Sequence, residues 1–172
     1  DEARHSLATA ICLLRGRIGA DAFDRRRDAI RLLPGAVTSD VHPLERDDPS
    51  DPSTAPLGAF LDEFDIDDAP EFQQWKDMQR AHLLPLLHST LTARIDYSRK
   101  RGDSRRMEAL AQQLLRVDDL SEGAARAQLE ARAMAGDRIG ALRLFDRWRA
   151  RLADELGALP SPALSRMADR LR

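Results

Sequence analysis

The chain has little of several things, and each scarcity excludes something. One cysteine, Cys12, rules out a disulfide framework and makes a reducing compartment the default. No apolar run approaches the roughly 20 residues that span a bilayer, and the opening Asp1-Glu2-Ala3-Arg4-His5 has no signal-peptide pattern. A cytoplasmic protein is therefore expected, with no membrane partner. No Cys-x-x-Cys or His-Glu-x-x-His pattern occurs, and His82 and His88 stand six apart, off a common helix face, so no metal ligand set is legible. His5 and His42 are the other two histidines. A Gly-rich phosphate loop and a nucleophile elbow are also missing. The acid pairs Asp62-Glu63 and Asp67-Asp68 sit in an acidic run, where solvation and helix capping account for them. Neither an enzyme nor a cofactor is expected.

What is present is enough for a folded protein: 172 residues, 42% hydrophobic and 33% charged. The net charge of −2 conceals an uneven distribution. Residues 1–36 hold seven arginines against five acids, whereas residues 47–71 hold nine acids and no Lys or Arg. Any nucleic-acid claim must therefore rest on local placement.

Periodicity divides the chain. Leu7, Ile11, Leu14 and Ile18 form one stripe on a helix over 3–18, stopped by Gly19. Phe23 and the segment Ala29–Leu33, bounded by Pro34-Gly35, suggest a β-hairpin with Arg25, Arg26 and Arg27 at its tip. Residues 42–58, with Pro43, Pro49, Pro52 and Pro56, read as a linker. Phe60, Leu61, Phe64 and Ile66 then suggest a short piece docked on helices. From Asp68 onward the pattern is helical. Asp68 and Glu71 resemble a capping box, and Phe72, Trp75, Met78, Leu83, Leu86, Leu87, Leu91 and Ile95 form a long stripe that Pro85 should kink. Met107, Leu110, Ala111, Leu114 and Leu115 face inward on the next helix. Ser121, Asp137 and Ser161-Pro162 are N-cap signals, and Ala141, Phe145, Trp148, Leu152 and Leu156 form another stripe ended by Gly157. Trp75, Trp148 and Cys12 are expected in packed positions. Gly102-Asp103 and Gly136-Asp137 stand 34 residues apart, the period of tetratricopeptide repeats. Under that offset Leu110 aligns with Leu144, Ala111 with Phe145 and Leu114 with Trp148. The alanines Ala124, Ala125, Ala127 and Ala133 would let helices approach closely.

These residues carry a resemblance. Glu71-Phe72-Gln73-Gln74-Trp75-Lys76-Asp77-Met78-Gln79-Arg80 resembles the opening helix of the bacterial transcriptional activator domain of antibiotic-regulatory-protein (SARP) activators. Leu114 to Glu122, Ala135-Gly136-Asp137-Arg138, Glu155-Leu156-Gly157 and Pro160-Ser161-Pro162 continue it in order. The segment Ala3-Arg4-His5-Ser6-Leu7 with Leu14-Arg15 resembles the recognition helix of an OmpR-type winged helix whose first half lies outside this sequence, and Arg25–Leu33 resembles its wing. Ala8, Cys12, Leu13 and Gly16 stand where such helices often carry basic residues. The resemblance implies a mainly α fold, a TPR-like antiparallel bundle at 59–172 after a partial winged helix at 1–41 and the linker 42–58. It implies a transcription regulator that binds promoter DNA through the complete winged helix. The bundle would contact RNA polymerase, another protein or a second copy in a homodimer. Arg4, His5, Thr9, Arg15, Arg17, Arg25, Arg26 and Arg27 are the candidate DNA-binding residues. The alternative is a TPR-like interaction scaffold in a signalling protein without DNA binding.

Overall fold

A computed structural model describes residues 2–26, 29–41, 44, 48–50 and 60–172. The chain forms two compact units, Asp1–His42 and Pro43–Arg172.

The first unit begins with α1, Glu2–Ile18. Gly19 ends it at φ +94°, a left-sided backbone that suits glycine, and donates its N–H to the Arg15 carbonyl at 3.0 Å. A single 3-10 turn, Ala20–Ala22, leads into β1, Phe23–Arg26, which pairs antiparallel with β2, Ala29–Leu32. Phe23 faces Leu32 and Arg26 faces Ala29 in the register. The Leu33 N–H returns to the Ala22 carbonyl at 2.8 Å and closes the base of the hairpin. Ala22 is the one buried residue among those described in this unit. Cys12, expected to pack, is exposed.

The second unit is built of α2 (Pro70–Lys100), α3 (Ser104–Val117), α4 (Glu122–Met134), α5 (Arg138–Leu156) and α6 (Pro162–Arg170). Successive helices from α2 to α5 pack on one another, and α4 also touches α2 and α6. This is a TPR-like arrangement, in which each helix pair buries its face on the next. The two Gly-Asp turns are the same device. Gly102 (φ +70°) and Gly136 (φ +81°) take the left-handed residue that closes the preceding helix. Asp103 and Asp137 then cap the next helix, accepting from Arg106 N at 2.9 Å and Gly140 N at 2.8 Å. Ser121 and Ser161 cap α4 and α6 by the same chemistry, and Gly157, at φ +61°, ends α5.

Helix α4 stands between two apolar clusters. Its Ala124, Ala127 and Ala131 join Leu87, Leu91, Ile95, Met107, Leu110, Ala111 and Leu114 from α2 and α3. Its Ala125 and Leu129 join Ala141, Phe145, Trp148, Leu152, Leu164 and Ala168 from α5 and α6. Small side chains on the α2–α3 side permit close helix approach. Leu44, placed by sequence in the linker, is 4% exposed and belongs to the first cluster. An ion pair ties α2 to α4: Arg99 Nε lies 2.8 Å from Glu130. Burial disfavours the Arg99 charge, but Glu130 and Asp96 outweigh it and raise its pKa above the ordinary value.

Two expectations fail locally, the cap at Asp68 and the burial of three stripe residues. Asp68 does not cap α2. It sits at φ +56°, one residue ahead of the cap position, which Ala69 takes with no side-chain bond. Helix α2 runs on through Pro85 to Lys100 as one element. Trp75 (41% exposed), Met78 (56%) and Leu156 (64%) lie at the surface, although their stripes continue into the core.

Candidate nucleic-acid interface

In the first unit the candidate side chains distribute around α1. At 3.6 residues per turn, Arg4 and Arg15 flank the Leu7-Ile11-Leu14-Ile18 stripe, Arg17 lies toward its other side, and His5 and Thr9 occupy the opposite face. Arg4, His5, Thr9 and Arg17 are exposed. Thr9 is partly engaged, donating its hydroxyl to the His5 carbonyl at 3.0 Å. Arg15 is half-buried with its guanidinium 5.9 Å from the Phe23 ring centroid, a cation–π contact that fastens the helix to the hairpin. Arg25 and Arg26 lie on β1, opposite Ile30 and Ala29. Their side chains, and Arg27 entirely, lie outside the described residues. The polar candidates thus occupy more than one face, whereas the apolar stripe is continuous and open: Leu7 is 61% exposed, Leu14 49% and Ile18 39%.

The second unit holds a feature only half visible in the sequence. The docked piece after the linker is a strap over the first turns of α2. Arg80 donates to the carbonyls of Phe60 at 2.8 Å and Leu61 at 3.1 Å, and Lys76 donates to the Phe64 carbonyl at 3.0 Å and pairs with Asp65. Three left-handed residues, Leu61, Glu63 and Asp68, bend the strap so that its carbonyls face the helix. Edge-on ring contacts join Phe60 to Trp75 and Phe64 to Phe72. The aromatic residues are visible in the sequence as docking elements. The cations that hold them escape a reading of apolar stripes; the one signal for them is that Lys76 and Arg80 stand one turn apart on one helix face.

Between α2 and α3, an open groove of about 420 Å³ is lined by Leu84, Pro85, His88, Val117, Asp118 and Asp119. His88 Nε2 lies 3.8 Å from Asp118 Oδ2, both groups being substantially exposed. Among the described residues no cluster of His, Cys, Asp or Glu could hold a metal ion, and no helix is long and apolar enough to cross a membrane.

A mainly helical domain of TPR-like build is the class that this fold defines. The model of the bacterial transcriptional activator domain family matches residues 1–172, and the chain belongs to that family, which is regulatory rather than enzymatic. No curated protein and no solved structure matches it.

Proposed function

We propose that the chain is the DNA-dependent regulatory part of a cytoplasmic transcription activator. Residues 1–41 contribute the recognition helix and wing of a winged helix, and the bundle makes protein contacts with RNA polymerase, another protein or a second copy. One observation carries this reading. Helix α1 is amphipathic yet buries none of its stripe, and it is followed directly by a two-stranded hairpin. A helix so patterned needs an apolar layer on that side, as a recognition helix has in a three-helix winged domain. The opposite face, with His5 and Thr9, is then free for a groove. The seven arginines of residues 1–36 supply charge for phosphate.

The alternative, an interaction scaffold without DNA binding, gains from the scatter of Arg4, Arg15 and Arg17 around α1 and from the engagement of Arg15 with Phe23. Promoter-DNA binding by the full-length protein across a salt series separates the two. Changing Arg25, Arg26 and Arg27 together to Ala should weaken binding to all sequences alike. It should lower the slope of log affinity against log salt by about 0.9 for each phosphate that is no longer neutralised. Replacing His5 and Thr9 should relax sequence preference more than it alters the slope. A triple variant with unchanged affinity and slope means that the wing does not touch DNA, and favours the scaffold.

A further inference from the structure

We propose that the strap and the exposed first half of α2 form a docking surface for a basic segment with apolar anchors, carried by another protein. The proposal deepens the reading that the bundle makes protein contacts, and rests on it.

The first observation is a mismatch of lengths. Helix α2 has 31 residues and α3 has 14, about 46 Å against 21 Å at 1.5 Å per residue. Apart from Lys76, the buried positions of α2 run from Leu83 to Ser98. The turns before Leu83 therefore project past the shorter helix, and Lys76 is buried there under the strap that it holds.

The second observation is what this projection shows to solvent. Phe64 and Ile66 of the strap are each 50% exposed, and on α2 Trp75 is 41% exposed and Met78, one turn further on the same side, 56%. The rings run as a connected row, Phe60 to Trp75 to Phe72 to Phe64, with centroids 5.6–5.8 Å apart. A contiguous apolar patch rimmed by polar groups is the usual mark of an interaction site, and Trp is among the residues that dominate interface energetics.

Charge selects the occupant. Residues 60–80 contain seven acids and two cations, Lys76 and Arg80, within a stretch whose acids outnumber its bases. Both cations point into the strap's carbonyls, and Lys76 is 2% exposed. Glu63, Asp67 and Asp68 are exposed and carry no ion pair among the described residues. The surface is thus aromatic at its centre and acidic at its rim. Arg suits both parts, because its guanidinium stacks on aromatic faces and pairs with carboxylates. Nucleic acid is repelled here. A two-fold dimer through this face would set the same acids against each other, which disfavours a second copy in that arrangement.

The test uses the 172-residue chain and a dye-labelled amphipathic helical peptide with Arg on one face and Leu on the other, read by anisotropy at about 0.15 M salt. A counterpart with Glu in place of Arg is the charge control. The Arg peptide should bind, and the Glu peptide should bind at least about tenfold more weakly. Trp75→Ala should weaken the Arg peptide by about tenfold or more. Met78→Ala should act in the same direction, and it removes no strap ring, so it keeps the test valid if Trp75→Ala loosens the strap. Glu63→Gln, Asp67→Asn and Asp68→Asn together should weaken binding and flatten its salt dependence, while Asp154→Asn and Asp169→Asn on other helices leave it unchanged. Absence of Arg-peptide binding, or equal binding of the two peptides, overturns the proposal. Arg-peptide binding undiminished in all strap variants also overturns this surface but leaves the protein-contact reading standing. Self-association of the chain that Trp75→Ala abolishes overturns it in favour of a second copy as occupant.

Discussion

The two units are both rich in amphipathic helix, yet they use it differently. In Pro43–Arg172 the stripes of α2 to α6 meet in two clusters, and α4 gives Ala124, Ala127 and Ala131 to one and Ala125 and Leu129 to the other. In Asp1–His42 no residue of the α1 stripe is buried, Ile11 being only partly covered, and Ala22 is the sole buried residue among those described. Equal periodicity therefore does not mean equal self-sufficiency. A stripe records that a helix needs an apolar partner, and the packing of each unit shows whether that unit contains one. The bundle should accordingly set the stability of the chain, and substitutions in the two units should differ sharply.

The largest contrast lies at Trp148, which is 5% exposed in the second cluster. Trp148→Ala should cost about 3–5 kcal/mol through lost burial and the cavity left behind. Its indole N–H has no hydrogen-bond partner among the described residues, so Trp148→Phe, which keeps an aromatic ring in the cluster, should cost far less than the alanine change. Urea denaturation followed by far-UV circular dichroism measures both. An alanine variant with an unchanged midpoint would remove Trp148 from the core and erase the distinction between the units.

A smaller contrast comes from two helical glycines. Around Gly16 in α1 a Cβ would meet nothing within 4 Å, whereas at Gly140 it would come within 2.6 Å of Asp137 Cγ and 2.7 Å of Arg132 Nη1. Gly16→Ala should therefore gain the usual helix-propensity increment of about 0.5–1 kcal/mol, seen as added helicity of α1. Gly140→Ala should forfeit that gain, because the Asp137 carboxylate that caps α5 must move, and a lost cap costs about 1 kcal/mol. Thermal melts of both variants test this. If Gly140→Ala raises the midpoint, the cap is not sterically set by the glycine.

Local chemistry is legible in the sequence. Ser121, Asp137 and Ser161 are readable as caps, and the paired Gly102-Asp103 and Gly136-Asp137 as equivalent turns, because a cap needs only one side-chain oxygen and neighbouring N–H groups. The mainly helical, TPR-like fold follows from these and from the stripes. Extent of packing is not legible. Trp75, Met78 and Leu156 share the period of buried neighbours, but period does not say how far a partner helix reaches, and α3 is too short to cover the start of α2. Asp68 misleads because the helix starts one residue later than the pattern suggests, which leaves Ala69 in the cap position. Among the candidate DNA-binding residues, the involvement of Arg15 with Phe23 depends on the fold of the hairpin back toward α1, which no local spacing announces.

The smallest expected effect is the most informative about the first unit. Leu14 is 49% exposed on the α1 stripe. With so large a share of the side chain in solvent, Leu14→Ala should change the stability of this chain by only about 0.5 kcal/mol, as surface substitutions do. A buried Leu14 would instead lose about 2–5 kcal/mol on the same change. The contrast becomes sharper in the full-length protein. If the winged-helix proposal is right, the layer that covers the stripe is then present, and the same substitution should become costly in that domain and weaken promoter binding with it. Melting the 172-residue chain and the full-length protein side by side, each with and without the change, reads both expectations. A large loss already in the 172-residue chain would mean that the stripe is covered there in solution. No loss in either would mean that α1 is not packed as a recognition helix, and the proposed DNA-binding role of Arg4, His5, Thr9, Arg15 and Arg17 would lose its structural basis.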